Sequence, residues 1–479
     1  MARSFGVVKP GAVPRPGSFS HAASGETFTI ENRNGAVEME RSETLPSGQP
    51  VNVFRTSIDY WFGSGLHARS YVSRTANNEL IELPVSWYSE KNGYWAMSPG
   101  YDSASHAGFT RRLTYRCLFC HNAYPAMPAG ADRMDNGTKF PAGLPEGIDC
   151  QRCHGPGLAH ASAAASGRPA AELKTLIVNP AKLNADRRDE VCLQCHLEPT
   201  SLTLPSYLPV FGRGVFSYRP GEPLADYIRY FDHAPGTGHD DKFEFAGAPY
   251  RLRQSKCFLA SKNALTCTTC HDPHEPDRAR SAARANTACM DCHRSGNAPH
   301  TTSGNCVSCH MPQGRPSDAI HVVITDHLIR RNPPPPAEPT VESNSANTPA
   351  YRGEVAPYYP AVDDLYTAIA QVKERANLDA GIARLQKAIA NEKPAAAEPY
   401  AELADALRHA GKSAAAIPVY REAISRDGSY WPAWHGLGLA TAATGALEVS
   451  LVPLRRAAEL SGRDSAVMRN LALVLTNLR

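Results

Sequence analysis

The sequence predicts a multidomain chain with three parts: a small β-rich N-terminal section, a middle domain of short helices and irregular chain organised by its cysteines, and a C-terminal all-α solenoid. Three observations predict it. Residues 1–110 carry alternating apolar runs and no cysteine; residues 111–330 hold all thirteen cysteines, twelve of them in six CxxC pairs; and residues 361–479 repeat with a 34-residue period. A chain of 479 residues is long enough for two or three domains. The net charge of +3 gives no field for nucleic acid. No run approaches the roughly 18 apolar residues of a membrane span.

In the first section, "ETFTIENRNGAVEMER" places two alternating runs around Asn34-Gly35, the dipeptide that suits a tight hairpin turn. "ELIELPVSWY" and "YWAMSPGY" continue with β-branched and aromatic residues, and together these runs predict a small sheet.

Every one of the six cysteine pairs in the middle segment is followed directly by histidine. The sets are Cys117, Cys120 and His121; Cys150, Cys153 and His154; Cys192, Cys195 and His196; Cys267, Cys270 and His271; Cys289, Cys292 and His293; and Cys306, Cys309 and His310. With 18 histidines in the chain, six such coincidences have a probability on the order of one in a billion. CxxCH is the attachment signature of c-type haem: two thioethers reach the two vinyl carbons of one porphyrin, and the following imidazole binds the iron. Zinc sites and disulfides are the alternatives. Six haems therefore define a multihaem c-type cytochrome domain over 111–330, poor in long periodic segments because porphyrins would supply its core. The motifs start 33, 42, 75, 22 and 17 residues apart, so the last three should cluster.

A second axial ligand for each iron must come from elsewhere. Ten further histidines precede the tail: His21, His67, His106, His160, His233, His239, His274, His300, His321 and His327. Local context favours His67, His160, His274, His300, His321 and His327, with His21 next. His67 lies in "GSGLHARSY", where glycines would let backbone approach a porphyrin, and the others lie beside CxxCH motifs. "FDHAPGTGHDD", with His233 and His239, reads as a solvated loop. His409 and His435 read as surface residues of the tail. Cys257 reads as a buried inert thiol, with iron ligation or reaction with substrate as alternatives. Met97 reads as core rather than ligand. No catalytic residue is identifiable.

Residues 331–360, "RNPPPPAEPTVESNSANTPAYRGEVAPYYP", predict an extended Pro-rich linker. In the tail, Tyr400, Leu403, Ala404, Leu407, Gly411, Ala416, Tyr420 and Ala423 fall at the offsets of a tetratricopeptide (TPR) unit. They recur 34 residues on as Trp434, Leu437, Gly438, Thr441, Gly445, Ser450, Leu454 and Ala457. Met468, Leu471 and Ala472 open a third unit, and residues 362–396 form a degenerate one with Ala388 and Ile389 at packing positions. A TPR helical domain is expected over 361–479 as a docking surface for a protein partner or for self-association.

The ordered string "GSGLHARSY", "LPVSWY", "MSPGY", "CLFCHN", "CQRCHGPGLAH", "VCLQCH", "LTCTTCHDPH", "CVSCHMP" and "TDHLIR" resembles a family of exported bacterial multihaem cytochromes c with C-terminal TPR repeats. "CHGPG" and "CHMP" are shared more loosely with tetrahaem cytochromes and haem nitrite reductases. The resemblance implies electron transfer between redox protein partners. In similar proteins a stretch like "MARSF" follows another CxxCH, which implies a seventh haem ahead of Met1. Covalent haem attachment takes place outside the cytoplasmic membrane, so a periplasmic or extracellular location is expected. "MARSFGVVKPGAVPRPGSFS" lacks the apolar core of a signal peptide, so the sequence reads as a mature or incomplete chain. Two alternatives to an electron conduit stand beside it. One is a haem oxidoreductase with one open iron acting on a small nitrogen, sulfur or oxygen compound; the other is a subunit of a cytochrome filament, a homopolymer.

Overall fold

The computed structural model describes all residues except 1, 10–15, 129, 134–138, 201–206, 276, 294–304, 333–350, 360–363, 374, 376 and 479. The N-terminal section forms ten strands in two antiparallel sheets rather than one small sheet. Strands β1 (Phe5–Val7), β6 (Tyr60–Phe62), β7 (Ala68–Arg74), β9 (Val85–Tyr88) and β10 (Tyr94–Met97) form one path, with β8 (Leu80–Glu82) also paired to β7. Strands β2 (Gly17–His21), β3 (Glu26–Arg33), β4 (Ala36–Thr44) and β5 (Pro50–Ser57) make the other, a meander. The Asn34-Gly35 hairpin forms as its sequence requires: Arg33 pairs with Ala36, and both turn residues take positive φ, 52° and 81°. The alternation of β3 and β4 sends Phe28, Ile30, Val37 and Met39 inward against Tyr71, Val85, Trp95 and Met97. Met97 is thus a core residue.

The first sheet is continuous with the middle segment. Phe5, Tyr60, Phe62 and Leu80 share one apolar core with Tyr115, Leu118 and Phe119 of α1 (Tyr115–His121) and with Leu193 of α5 (Ala185–His196). Between these helices run α2 (Gln151–His154), α3 (Leu158–Ala165) and α4 (Ala170–Leu173). Downstream come α6 (Ala248–Gln254), α7 (Lys256–Ser261), α8 (Cys267–Cys270), α9 (Arg278–Cys292) and α10 (Cys306–His310), with a two-stranded ribbon of β13 (Gln313–Gly314) and β14 (Ile324–Thr325).

The expected linker is packed over its last described residues. Val355–Pro357 forms β15, antiparallel to β12 (Ile228–His233), which also pairs with β11 (Tyr207–Pro209). Buried Tyr351 and Val355 explain the departure: apolar side chains at this spacing outweigh a composition that favours an extended chain.

The tail is a TPR element of antiparallel helix pairs: α11 (Asp364–Lys373) with α12 (Leu378–Glu392), α13 (Glu398–His409) with α14 (Ser413–Arg426), and α15 (Trp431–Ala443) with α16 (Leu447–Leu460). A last helix, α17 (Ser465–Asn477), follows. Tyr400, Leu403, Ala404, Leu407, Ala416, Tyr420 and Ala423 are all buried, as are Leu437, Thr441, Ser450, Leu454 and Ala457 in the next unit. Gly411 and Gly445 turn the chain between helices at φ 76° and 88°. Gly438 serves packing instead. A Cβ there would stand 2.5 Å from Leu454, so only glycine lets α15 and α16 approach this closely. In the third unit Leu471 is buried but Ala472 is exposed.

The tail is docked on the body. Leu208, Phe231 and Val355 belong to the same apolar core as α11–α15, and Phe211 stacks on Tyr366 at 4.3 Å. Arg133 reaches Glu398 at 2.7 Å and Asp427 at 2.9 Å, while Arg112 joins Glu79 to Asp464.

Candidate functional site

Each CxxCH motif lies on or at the edge of a helical turn. Positions i, i+3 and i+4 share one helix face, so a helical turn presents two sulfurs and one imidazole to the same side. The first motif ends α1, the second sits on α2 with Cys150 as its N-cap, and the third ends α5. The fourth is α8, the fifth ends α9 and the sixth is α10. After His154 the chain reverses at Gly155, whose φ of 77° accounts for the glycine of "CHGPG".

The imidazoles are held by one nitrogen. His154 Nδ1 donates to Val178 O at 2.8 Å, His310 Nδ1 to Arg330 O at 2.7 Å, and His121 Nδ1 to Ser4 O at 3.3 Å. Two of the expected distal ligands follow the same pattern: His160 Nδ1 donates to Leu173 O at 3.0 Å and His327 Nδ1 to Thr325 O at 3.1 Å. A carbonyl can only accept, so the proton sits on Nδ1 and the Nε2 lone pair is left for a metal, the arrangement in which metal-binding histidines are generally oriented. Burial also lowers the pKa of His121 to about 4 and depresses His196, His271 and His327, keeping the imidazoles in their neutral, ligating form.

Two histidine pairs stand at a coordinating separation. The ring centroids of His154 and His274 are 6.0 Å apart with planes 21° from parallel, and those of His271 and His327 are 6.1 Å apart at 31°. An iron between two imidazoles needs a bond of about 2 Å to each nitrogen, and each centroid lies ~1.1 Å further on, so the expected separation is about 6.2 Å. His233 and His239 make the contrast. They stack face to face at 4.0 Å, which leaves no room for a metal between them, and His233 is buried rather than in a solvated loop.

Other expected ligands are used differently. His321 Nε2 is bound to Asp102 Oδ1 at 2.6 Å, so the distal role expected of it is not carried by this geometry. His21 lies by Ser24 and His106, away from any motif histidine among its described ring contacts. The glycines around His67 serve the β6–β7 turn: Gly63 and Gly65 have φ of 87° and 79°, and a Cβ on Gly63 would meet Ala68 O at 2.6 Å. His300 lies outside the described residues. Of the two tail histidines expected at the surface, His409 is exposed, whereas His435 is half-buried and bonded to Asn470 at 2.9 Å. Cys257 is exposed on α7, beside Cys270 and Cys292, and not a buried thiol.

The motifs adjoin one another in a defined order. Cys120 of the first lies against Cys195 of the third; Cys192 of the third lies against Cys267 of the fourth; and Cys153 of the second faces both third-motif thiols. Cys289 of the fifth neighbours Cys270 of the fourth and Cys306 of the sixth. The series is therefore first, third, fourth, fifth, sixth, with the second beside the third. No two of the thirteen cysteines are joined as a disulfide. Among the described residues no group of three His, Cys, Asp or Glu side chains converges as a zinc site requires. A haem needs something else here, an axial imidazole pair with apolar surface around it. The surface is present: no described residue of α3, α7, α8, α9 or α10 is buried, and Leu158, Leu259 and Met290 are exposed beside the motifs. The residues fit the group.

No family model matches the chain, and no curated protein matches it. Among solved structures, the chain is similar to MamA MSR-1 at 22% identity and a TM-score of 0.22, covering 24% of this chain and 65% of that one. It is similar to the first TPR of Spaghetti (RPAP3) bound to an HSP90 peptide at 21% identity and 0.23, covering 24% and 98%. The Sgt2 TPR domain from Aspergillus fumigatus gives 21% and 0.23, covering 25% and 80%. The TPR assignment of the tail rests on its own repeat and helix packing. No helix among the described residues is long and apolar enough to cross a membrane.

Proposed function

We propose that the chain is a multihaem c-type cytochrome that carries electrons through haems attached at its six CxxCH motifs, in an exported, periplasmic or extracellular setting. The observation that supports this best is the ring-centroid separation of His154 from His274 and of His271 from His327, each close to the roughly 6.2 Å of two imidazoles sharing one iron. When bound, a c-type haem supplies a one-electron iron couple whose potential follows axial ligation, burial and nearby charge.

The protein residues have separable roles. The six cysteine pairs would fix each porphyrin by two thioethers. The carbonyls of Val178, Thr325 and Arg330 hold His154, His327 and His310 by Nδ1 and aim Nε2. The first sheet, through Phe62 against His121 at 4.7 Å, excludes water from the first site. Cys120 beside Cys195 and Cys192 beside Cys267 would bring the haems attached at neighbouring motifs close enough for electrons to hop along the array. The docked TPR tail would give redox protein partners a fixed platform.

A second reading, an oxidoreductase with an open haem, is favoured by one observation. Among the described residues no ring contact pairs His121, His196 or His293 with a second imidazole, so an open position would lie at one of these sites rather than at the second or fourth motif. The optical and magnetic spectra of the dithionite-reduced protein before and after carbon monoxide separate the two. Unchanged spectra leave every iron six-coordinate and support the conduit; a shift in one or two haems moves the assignment to the enzyme.

A further inference from the structure

Arg152, inside the second motif, has an environment that attachment chemistry does not explain. It is 1% exposed, the lowest of any arginine in the chain among those described as buried. Its guanidinium carbon lies 4.3 Å from the centre of the Phe119 ring, 5.0 Å from Tyr124 and 5.1 Å from Phe216. Nη2 donates to Phe119 O at 2.7 Å, while Nε and Nη1 find no oxygen acceptor among the described residues. Among the described residues no carboxylate lies within ion-pair distance of it. The other fully buried arginine, Arg251, is paired with both Asp326 and Asp241, which is the usual solution for a cation out of water. Arg152 instead points its charge towards the sulfurs of Cys120 and Cys195, the place where the first and third motifs meet.

An arginine cannot shed its proton at working pH, so this charge is permanent. Aromatic faces lower its cost without neutralising it. In a low-dielectric interior it stabilises any added negative charge nearby. Reduction of a haem iron adds one electron.

We propose that Arg152 is a positioning charge for electrons: a permanent cation between the first and third motifs, against Phe119 and Gln194, that raises the reduction potential of a haem attached there. The inference rests on the haem assignment above.

The test is a spectroelectrochemical titration of the holoprotein, with covalent haems counted by intact mass. Arg152→Met removes the charge at similar volume. It is expected to keep all haems and to shift the reduction equilibrium of at least one of them about tenfold towards the oxidised form, a fall of about 59 mV for one electron. Arg152→Lys, which keeps the charge, is expected to retain most of the native potential. Because loss of a buried arginine can unfold a chain, Tyr124→Glu is the second variant: a carboxylate beside the cation cancels it and is expected to give the same downward shift. Haem-loaded variants with every potential unchanged overturn the inference alone. A wild-type protein that carries no covalent haem overturns the cytochrome assignment and this inference with it.

Discussion

Helices α9 and α14 are nearly equal in length, and they are built on opposite terms. In α14, Ala416, Tyr420 and Ala423 recur at helical spacing and are buried against neighbouring helices of the repeat. In α9, with 15 residues, no described residue is buried, although Met290 and two motif cysteines lie along it. The tail carries its own core; the described residues of 256–310 bury no apolar side chain. A helix that buries nothing has little beyond propensity to hold it, and isolated helices of this length are marginal in water. The difference teaches that the described residues of α7–α10 present side chains without a core of their own, which the proposed covalent porphyrins would supply.

The largest way to break this comparison is to remove one porphyrin. The double substitution Cys267→Ser and Cys270→Ser is expected to lower the intact mass by one haem and to abolish hydrogen-exchange protection over α8 and α9, while α13–α16 keep theirs. Protection that survives in α8 and α9 would show that the segment holds itself together. The opposite change, Leu454→Ala, attacks the self-supplied core. Leu454 is fully buried against Gly438, and its truncation is expected to cost about 2–5 kcal/mol of tail stability. Exchange should rise in α15–α17 with no change in the haem absorption spectrum.

How much of the molecule is legible in the sequence follows the same division. Where side chains pack on side chains, periodicity reports the structure: the Asn34-Gly35 turn, the alternation of β3 and the 34-residue repeat all form where their patterns place them. The CxxCH motifs are equally legible, and each lies on or at the edge of a helical turn. The histidine pairs that join distant segments are harder. His274 faces His154 across 120 positions and His327 faces His271 across 56, and no local pattern encodes a contact of that separation. His321 is equally well placed by sequence and is turned away by Asp102, 219 residues upstream. The packing of Tyr351 and Val355 is hidden by the proline and serine around them. Arg152 carries no sign at all: an arginine between two motif cysteines is ordinary until three aromatic rings from other segments close over it.

The seam between the two regions is a smaller and more local target. Asp464 accepts from the backbone N–H groups of Ala466 and Val467 as the N-cap of α17, and it also pairs with Arg112 of the body. Asp464→Ala removes both roles at once. A loss of about 1–2 kcal/mol is expected, most of it from the cap. Faster amide exchange confined to α17 and to residues 77–82 would place the damage at the seam; exchange spread evenly through the tail would mean that docking matters less than the repeat's own packing.

The smallest expected effect is on pH. His435 lies in α15, accepts at Nε2 from the Asn470 side-chain amide N–H at 2.9 Å, and has its pKa lowered from the ordinary 6.5, chiefly by burial. The sign follows from proton counts. Below pH 6.5 the unfolded chain takes up a proton that the folded tail resists, so the unfolded state binds more protons and stability falls as pH drops. Above 6.5 both states are neutral at this position and the contribution is level. The middle segment has its own depressed histidines, but coordination would fix those imidazoles and remove them from this titration. A modest acid destabilisation should therefore be read in α15–α17 by hydrogen exchange between pH 7 and pH 5, corrected for intrinsic rates. His435→Gln, which keeps a hydrogen-bonding group towards Asn470 and cannot titrate, should flatten that dependence. If the variant loses protection with pH as steeply as the native chain, His435 is not the group that makes the self-packed region sensitive to acid.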